Sequence, residues 1–111
     1  MKKINILKEN RDFDRIIKNN KAYKYKYYII YIERNKSDVY KFGLSVGKKI
    51  GNAVTRNRVK RQIKSIIDKK NYQKGFNCII IVNKNILNDE FCKMEKNLFD
   101  IFDKLRIVKE N

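Results

Sequence analysis

Lys41–Ile67 reads KFGLSVGKKIGNAVTRNRVKRQIKSII. Its first part alternates, with Phe42, Leu44 and Val46 on one side, which is the period of a half-buried strand over about 39–46. Gly47 and Gly51 then mark a loop over 47–55. The rest changes period: Val59, Ile63, Ile66 and Ile67 follow i, i+4, i+7, i+8, the stripe of an amphipathic helix over about 56–69 with Thr55 as its cap. Strand, loop and helix are thus written into one segment. The same segment holds Lys41, Lys48, Lys49, Arg56, Arg58, Lys60, Arg61 and Lys64 and no acidic residue. A folded segment with that charge is built to meet a polyanion.

Outward from it, the chain predicts alternating elements. Asn10 can cap a helix over 10–19 with Phe13, Ile16 and Ile17 as its apolar stripe, and Asn19-Asn20 as its stop. Residues 22–34, AYKYKYYIIYIER, are β-branched and aromatic and predict one strand. Its two faces would carry Tyr23, Tyr25, Tyr27, Ile29 and Tyr31, and Lys24, Lys26, Tyr28, Ile30 and Ile32. Asn35–Asp38 predicts a hairpin turn into the second strand, where Tyr40 joins the Phe42 side. Gly75 ends a short connection. Residues 76–82, FNCIIIV, are apolar on both faces and predict a central strand. Asn88 or Asp89 can cap a last helix whose core stripe is Phe91, Met94, Leu98, Ile101, Phe102 and Leu105. The fold class is α+β, an α/β sandwich in the order α-β-β-(β)-α-β-α around a mixed sheet.

At 111 residues, one RNA-binding domain spanning 1–111 is expected. The formal charge is +16, and residues 41–70 carry +9 of it. Self-repulsion of that size weakens an isolated fold and a polyanionic partner relieves it. No run nears the ~20 apolar residues of a membrane span, and the N-terminus does not read as a signal peptide. The expected setting is cytoplasmic, with no membrane and no small-molecule substrate. Cys78 and Cys92 sit in apolar sequence and are expected to be buried and reduced. With two Cys and no His, no standard closed zinc site can form.

On the helix, Asn57, Lys60, Arg61 and Lys64 fall opposite the apolar stripe, and Arg56 and Arg58 flank its first turn, where the positive dipole end adds to their charge. Arg offers paired donors to phosphate, and Asn can meet a phosphate, a ribose or a metal-bound water. Lys48 and Lys49 extend the cationic surface into the loop. GLSVGKK lacks Walker spacing and has Lys49 where the hydroxyl belongs, so an ATPase is excluded. No catalytic group emerges: there is no His and no acid in the basic segment. The tyrosines of 23–31 interleave with Lys24 and Lys26, a composition suited to unpaired bases. Tyr31 stands out among them, since a helix bearing Phe13 could pack beside it and leave a groove.

GLSVGKKIGNAVTRNRVKRQIK, with Arg56-Asn57-Arg58 at its centre, resembles the signature of the protein subunit of bacterial ribonuclease P. The likeness extends to the first helix, LKENRDFDRIIKNN, and to the strand before the last helix. The resemblance implies a ribonucleoprotein endonuclease that removes the 5′ leader of precursor tRNA. Its partners would be the ribonuclease P RNA subunit, which holds the catalytic Mg²⁺ ions, and precursor tRNA. It implies that Arg56, Asn57, Arg58, Lys60, Arg61 and Lys64 meet the RNA subunit or nearby ions, and that the protein raises Mg²⁺ affinity. It places Phe13, Ile17 and Tyr31 in a leader-binding cleft, with Ile17 where many members carry an aromatic. It further implies a left-handed βαβ crossover at the basic helix, against the usual rule. The competing readings are a basic ribosomal or RNA-chaperone protein, a membrane-surface protein and a self-sufficient metal nuclease.

Overall fold

The computed structural model describes residues 1–110. In chain order they form α1 (Asn10–Asn19), β1 (Tyr23–Tyr25), β2 (Tyr28–Arg34), β3 (Tyr40–Val46), α2 (Ala53–Ile67), β4 (Phe76–Val82) and α3 (Phe91–Leu105). The strands make one mixed sheet in the order β1-β2-β4-β3, parallel between β3 and β4 and antiparallel elsewhere.

β4 is central for the reason its composition gives. A strand apolar on both faces needs a pairing neighbour at each edge and cover on each side. β4 pairs along its whole length with β2 and with β3. The expected 35–38 hairpin is therefore corrected: β4 separates β2 from β3, and these residues bridge two strands that do not touch.

The single strand expected over 22–34 is also corrected. It folds back after Tyr25, with Tyr25 opposite Tyr28 and Tyr23 opposite Ile30. Lys26 turns the chain at φ +54°. This reversal moves Tyr23 and Tyr25 to the Tyr28/Ile30 face and puts Lys24 on the face of Ile29 and Tyr31. Tyr27 leaves the pleat and is buried.

The helix starts differ from expectation as well. α2 begins at Ala53, because Asn52 caps it by accepting from the Thr55 amide at 3.0 Å. Glu9 precedes α1 and Glu90 precedes α3, neither with a side-chain cap bond, so Asn10, Asn88 and Asp89 are not the caps. Asp89 is used elsewhere, accepting from the Tyr27 hydroxyl at 2.8 Å.

The core lies in two layers. On one face Tyr28, Ile30, Phe42, Val46, Phe76, Cys78, Ile80 and Val82 pack with the stripes of α2 and α3. On the other, Ile79 and Ile81 meet Leu7 and the Phe13, Ile16 and Ile17 stripe of α1. The α2 stripe is buried as its spacing predicts, and so are Met94, Leu98, Ile101, Phe102 and Leu105 of α3. Cys78 is buried, and burial pushes its thiol up. Cys92 is exposed, against expectation, because it stands two residues before Met94, about 200° round α3 from that buried side chain. Among the described residues no helix is long and apolar enough to cross a membrane.

Candidate nucleic-acid interface

Two surfaces collect the predicted residues, on opposite faces of the sheet. The first is the outer side of α2. Val59, Ile63, Ile66 and Ile67 anchor it to the core. The 100° step then turns Asn57, Arg58 and Arg61 to solvent and leaves Arg56, Lys60 and Lys64 half-buried at the flanks. Among the described residues none of Arg56, Arg58, Lys60, Arg61 or Lys64 pairs with a carboxylate. The chain spends its acids elsewhere, on Arg11, Arg15, Lys69, Lys74, Lys96 and the Met1 amine. A row of cations without counter-charges, on a helix fixed by its opposite side, has the charge and the rigidity that suit phosphates.

The second surface is the seam where α1 packs on the sheet, the place of the expected leader cleft. Phe13, Ile17 and Tyr31 are each half-buried there, around fully buried Ile16 and Ile79. The structure thus brings the three predicted cleft residues together. Phe13 owes its place to Gly43: a Cβ there would stand 2.5 Å from Phe13 Cζ. α1 is held over the sheet by ions. Arg15 donates to Glu33 at 3.1 Å and to Asp12 at 2.6 Å, and Asn77 donates to Glu33 at 2.9 Å. The Arg15 guanidinium is the main reason that the Glu33 carboxyl titrates below its ordinary range.

Tyr27 is not a cleft residue, although strand alternation put it beside Tyr31. Burial and its bond to Asp89 push its phenol up to about 12, and it accepts from Asn97 at 3.0 Å. Its role is to tie the β1–β2 turn to α3. Nor is Tyr25 in the cleft, for it lies across the sheet. Lys24 takes its place as a cation on the cleft face.

A hollow of about 520 Å³ extends the sheet's cleft face at the C-terminal ends of β3 and β4. Ser45 and Ile81 line it on one side, Lys48 and Lys49 on another, and Lys84 and Asn85 close it. Lys48 and Lys49 therefore border the cleft side of the molecule as well as the approach to α2. Ser45, Ile81, Lys84 and Asn85 were not marked by the sequence reading. The alternation of β3 could have found Ser45, since it stands opposite the Leu44/Val46 side. Lys84 and Asn85 depend on where the loop after β4 comes to rest, which no local pattern records.

Among the described residues, no three Asp, Glu, Cys or His side chains gather where they could hold a metal ion. The residues do not fit a Mg²⁺ cage made by the protein alone.

A mixed sheet with helices on both faces, one presenting cations without carboxylate partners and the other packed on Phe13, Ile17 and Tyr31, defines an α/β sandwich with the chemistry to bind RNA. The model of the family described as Ribonuclease P matches residues 1–106. The ribonuclease P protein component of Mycoplasma mycoides is 38% identical over 109 residues, covering 96% of this chain and 100% of that one. The ribonuclease P protein of Staphylococcus aureus superposes with a TM-score of 0.84 at 27% identity, over 95% of this chain and 98% of that one. That of Thermotoga maritima gives 0.79 at 26% identity, over 88% and 94%. The chain belongs to the ribonuclease P protein-component family.

Proposed function

We propose that this subunit of ribonuclease P divides its RNA contacts between the two faces of its sheet. The α2 face, with Lys48, Lys49, Arg56, Asn57, Arg58, Lys60, Arg61 and Lys64, would hold the RNA subunit. The cleft of Phe13, Ile17 and Tyr31 would take the unpaired 5′ leader of precursor tRNA. The observation that carries this reading is the contrast between them. Phosphates of a folded RNA suit a rigid cationic row, whereas unpaired bases suit half-buried rings.

The chemistry of cleavage would then rest with the RNA subunit and the Mg²⁺ ions it holds. The protein's cations would act on those ions indirectly, by fixing the phosphates that bind them. A ribosomal or chaperone protein would share the charge but has no need of a cleft built on Gly43 and Phe13.

The test is cleavage of a precursor tRNA at low Mg²⁺ by a cognate ribonuclease P RNA, with and without this protein. Stimulation that requires both components is expected. Tyr31→Ala should then weaken precursor binding by about 1–3 kcal/mol while leaving mature tRNA unaffected. Tight RNA binding without stimulation would overturn the reading.

A further inference from the structure

The fold leaves the two tyrosines of β1 outside both surfaces. Tyr23 and Tyr25 project from β1 on the α3 side, across the sheet from the cleft. Tyr23 is 43% exposed, a large fraction for an aromatic residue in a strand. Two shallow hollows, of about 280 and 290 Å³, flank it and share Tyr23, Lys104 and Leu105. Cations rim them. Lys104 Nζ lies 5.4 Å from the Tyr25 ring centre and Lys26 Nζ 5.6 Å from it. Lys21 and Arg34 border the second hollow. The acid of the first hollow, Asp100, already accepts from Lys96 at 2.8 Å.

We propose that Tyr23 and Tyr25, with Lys21, Lys26 and Lys104, form a second binding surface for an unpaired RNA strand, separate from the leader cleft. The exposed Tyr23 ring offers a stacking face to any base, and the ammonium groups held over the neighbouring Tyr25 ring meet the phosphates that join successive bases. The carbonyls ending α3 would repel a phosphate, but Arg34 donates to the Leu105 carbonyl at 2.8 Å and offsets them. An added peptide strand fits less well. β1 is three residues long and offers too short an edge for strand pairing. An acidic protein partner would satisfy the cations but has no use for a bare ring.

The surface does not depend on the assignment of the cleft, so the two readings fail separately. The probes are a hexa-adenylate and an abasic hexanucleotide of equal charge, titrated against the full-length protein. Photo-crosslinks to the hexa-adenylate are mapped by residue. Crosslinks at Tyr23 or Tyr25 are expected in addition to any in the cleft. Tyr23→Ala should remove them and weaken this site roughly fivefold or more, the low end of a single stack. Tyr23→Phe should keep them, because the ring and not the hydroxyl carries the contact. Tyr31→Ala should leave them in place. Lys104→Gln should weaken both probes, and it provides a second test that leaves the ring intact. Equal affinity for the abasic probe at this site, no crosslink at Tyr23 or Tyr25, or tighter capture of a poly-glutamate peptide would overturn the proposal.

Discussion

At the scale of single residues, Gly43 decides the geometry of the cleft although it contributes no side chain. A Cβ at this position would fall 3.1 Å from Phe13 Cε1 and Cε2 and closer still to Cζ. Gly43→Ala should therefore push the Phe13 ring outward and destabilise the fold by about 1–3 kcal/mol, as overpacking does. Chemical denaturation measures the cost, and the ratio of precursor to mature tRNA affinity should fall with it. In a Phe13→Leu background the cost should shrink; an unchanged cost would show that the ring is not the obstacle. Glu33 makes a second residue-level prediction. Its carboxyl is lowered from the ordinary 4.5, mainly by Arg15. A lowered folded value means that the contribution is complete above the unfolded value and is lost as pH falls through the folded one. Melting temperature should thus drop as pH goes below about 4.5, and Glu33→Gln should lessen the drop. An identical acid limb in the variant would remove Glu33 from the account. Neither interaction was legible in the sequence. Gly43 fell inside the predicted strand over about 39–46, with nothing to mark the ring that would stand over it, and Arg15 and Glu33 meet only because β2 passes under α1.

At the scale of elements, what was legible was whatever a repeat period encodes. The stripes of α1, α2 and α3 and the two-faced apolar run of β4 all came through, because burial follows side-chain direction. What failed were reversals and caps. No Gly, Asn or Pro marks the turn after Tyr25, since Lys26 itself takes the left-handed conformation. One unmarked turn moved Tyr23 and Tyr25 to the other face of the sheet, while Tyr31 kept its place beside Phe13. The end of α3 hides in the same way. Arg106 is left-handed at φ 56° and ψ 41°, its amide donating to the Asp103 carbonyl and that of Ile107 to Phe102. This is the Schellman pattern, in which glycine is the favoured residue. Arg106→Gly should stabilise the protein by about 0.5–1 kcal/mol, since a β-carbon there is strained. That corresponds to a rise of roughly 2–8 °C in melting temperature. Arg106→Ala removes the same charge but keeps the strain, so it should gain less. Equal gains in the two variants would credit charge instead of backbone.

At the scale of the whole molecule, the charge of +16 couples folding to RNA binding through salt. The cations of α2 have no carboxylate partners among the described residues, so their repulsion falls on the free protein. Added salt screens that repulsion and should raise the melting temperature. The same salt competes with RNA for those cations and should lower affinity, with a log–log slope set by the phosphates contacted. Removing one contacting cation should act on both quantities. Arg61→Gln and Lys64→Gln should each reduce the slope of RNA-subunit binding by about 0.7–0.9, and each should raise stability at low salt. Asp103→Asn provides the opposite control: it removes an acid from α3, adding net positive charge away from the α2 face. It should lower low-salt stability and leave the RNA slope unchanged. If instead the Arg61 and Lys64 variants lose stability, those side chains hold the fold through their aliphatic stems. If the slope does not move, the α2 face lies away from RNA, whatever its charge.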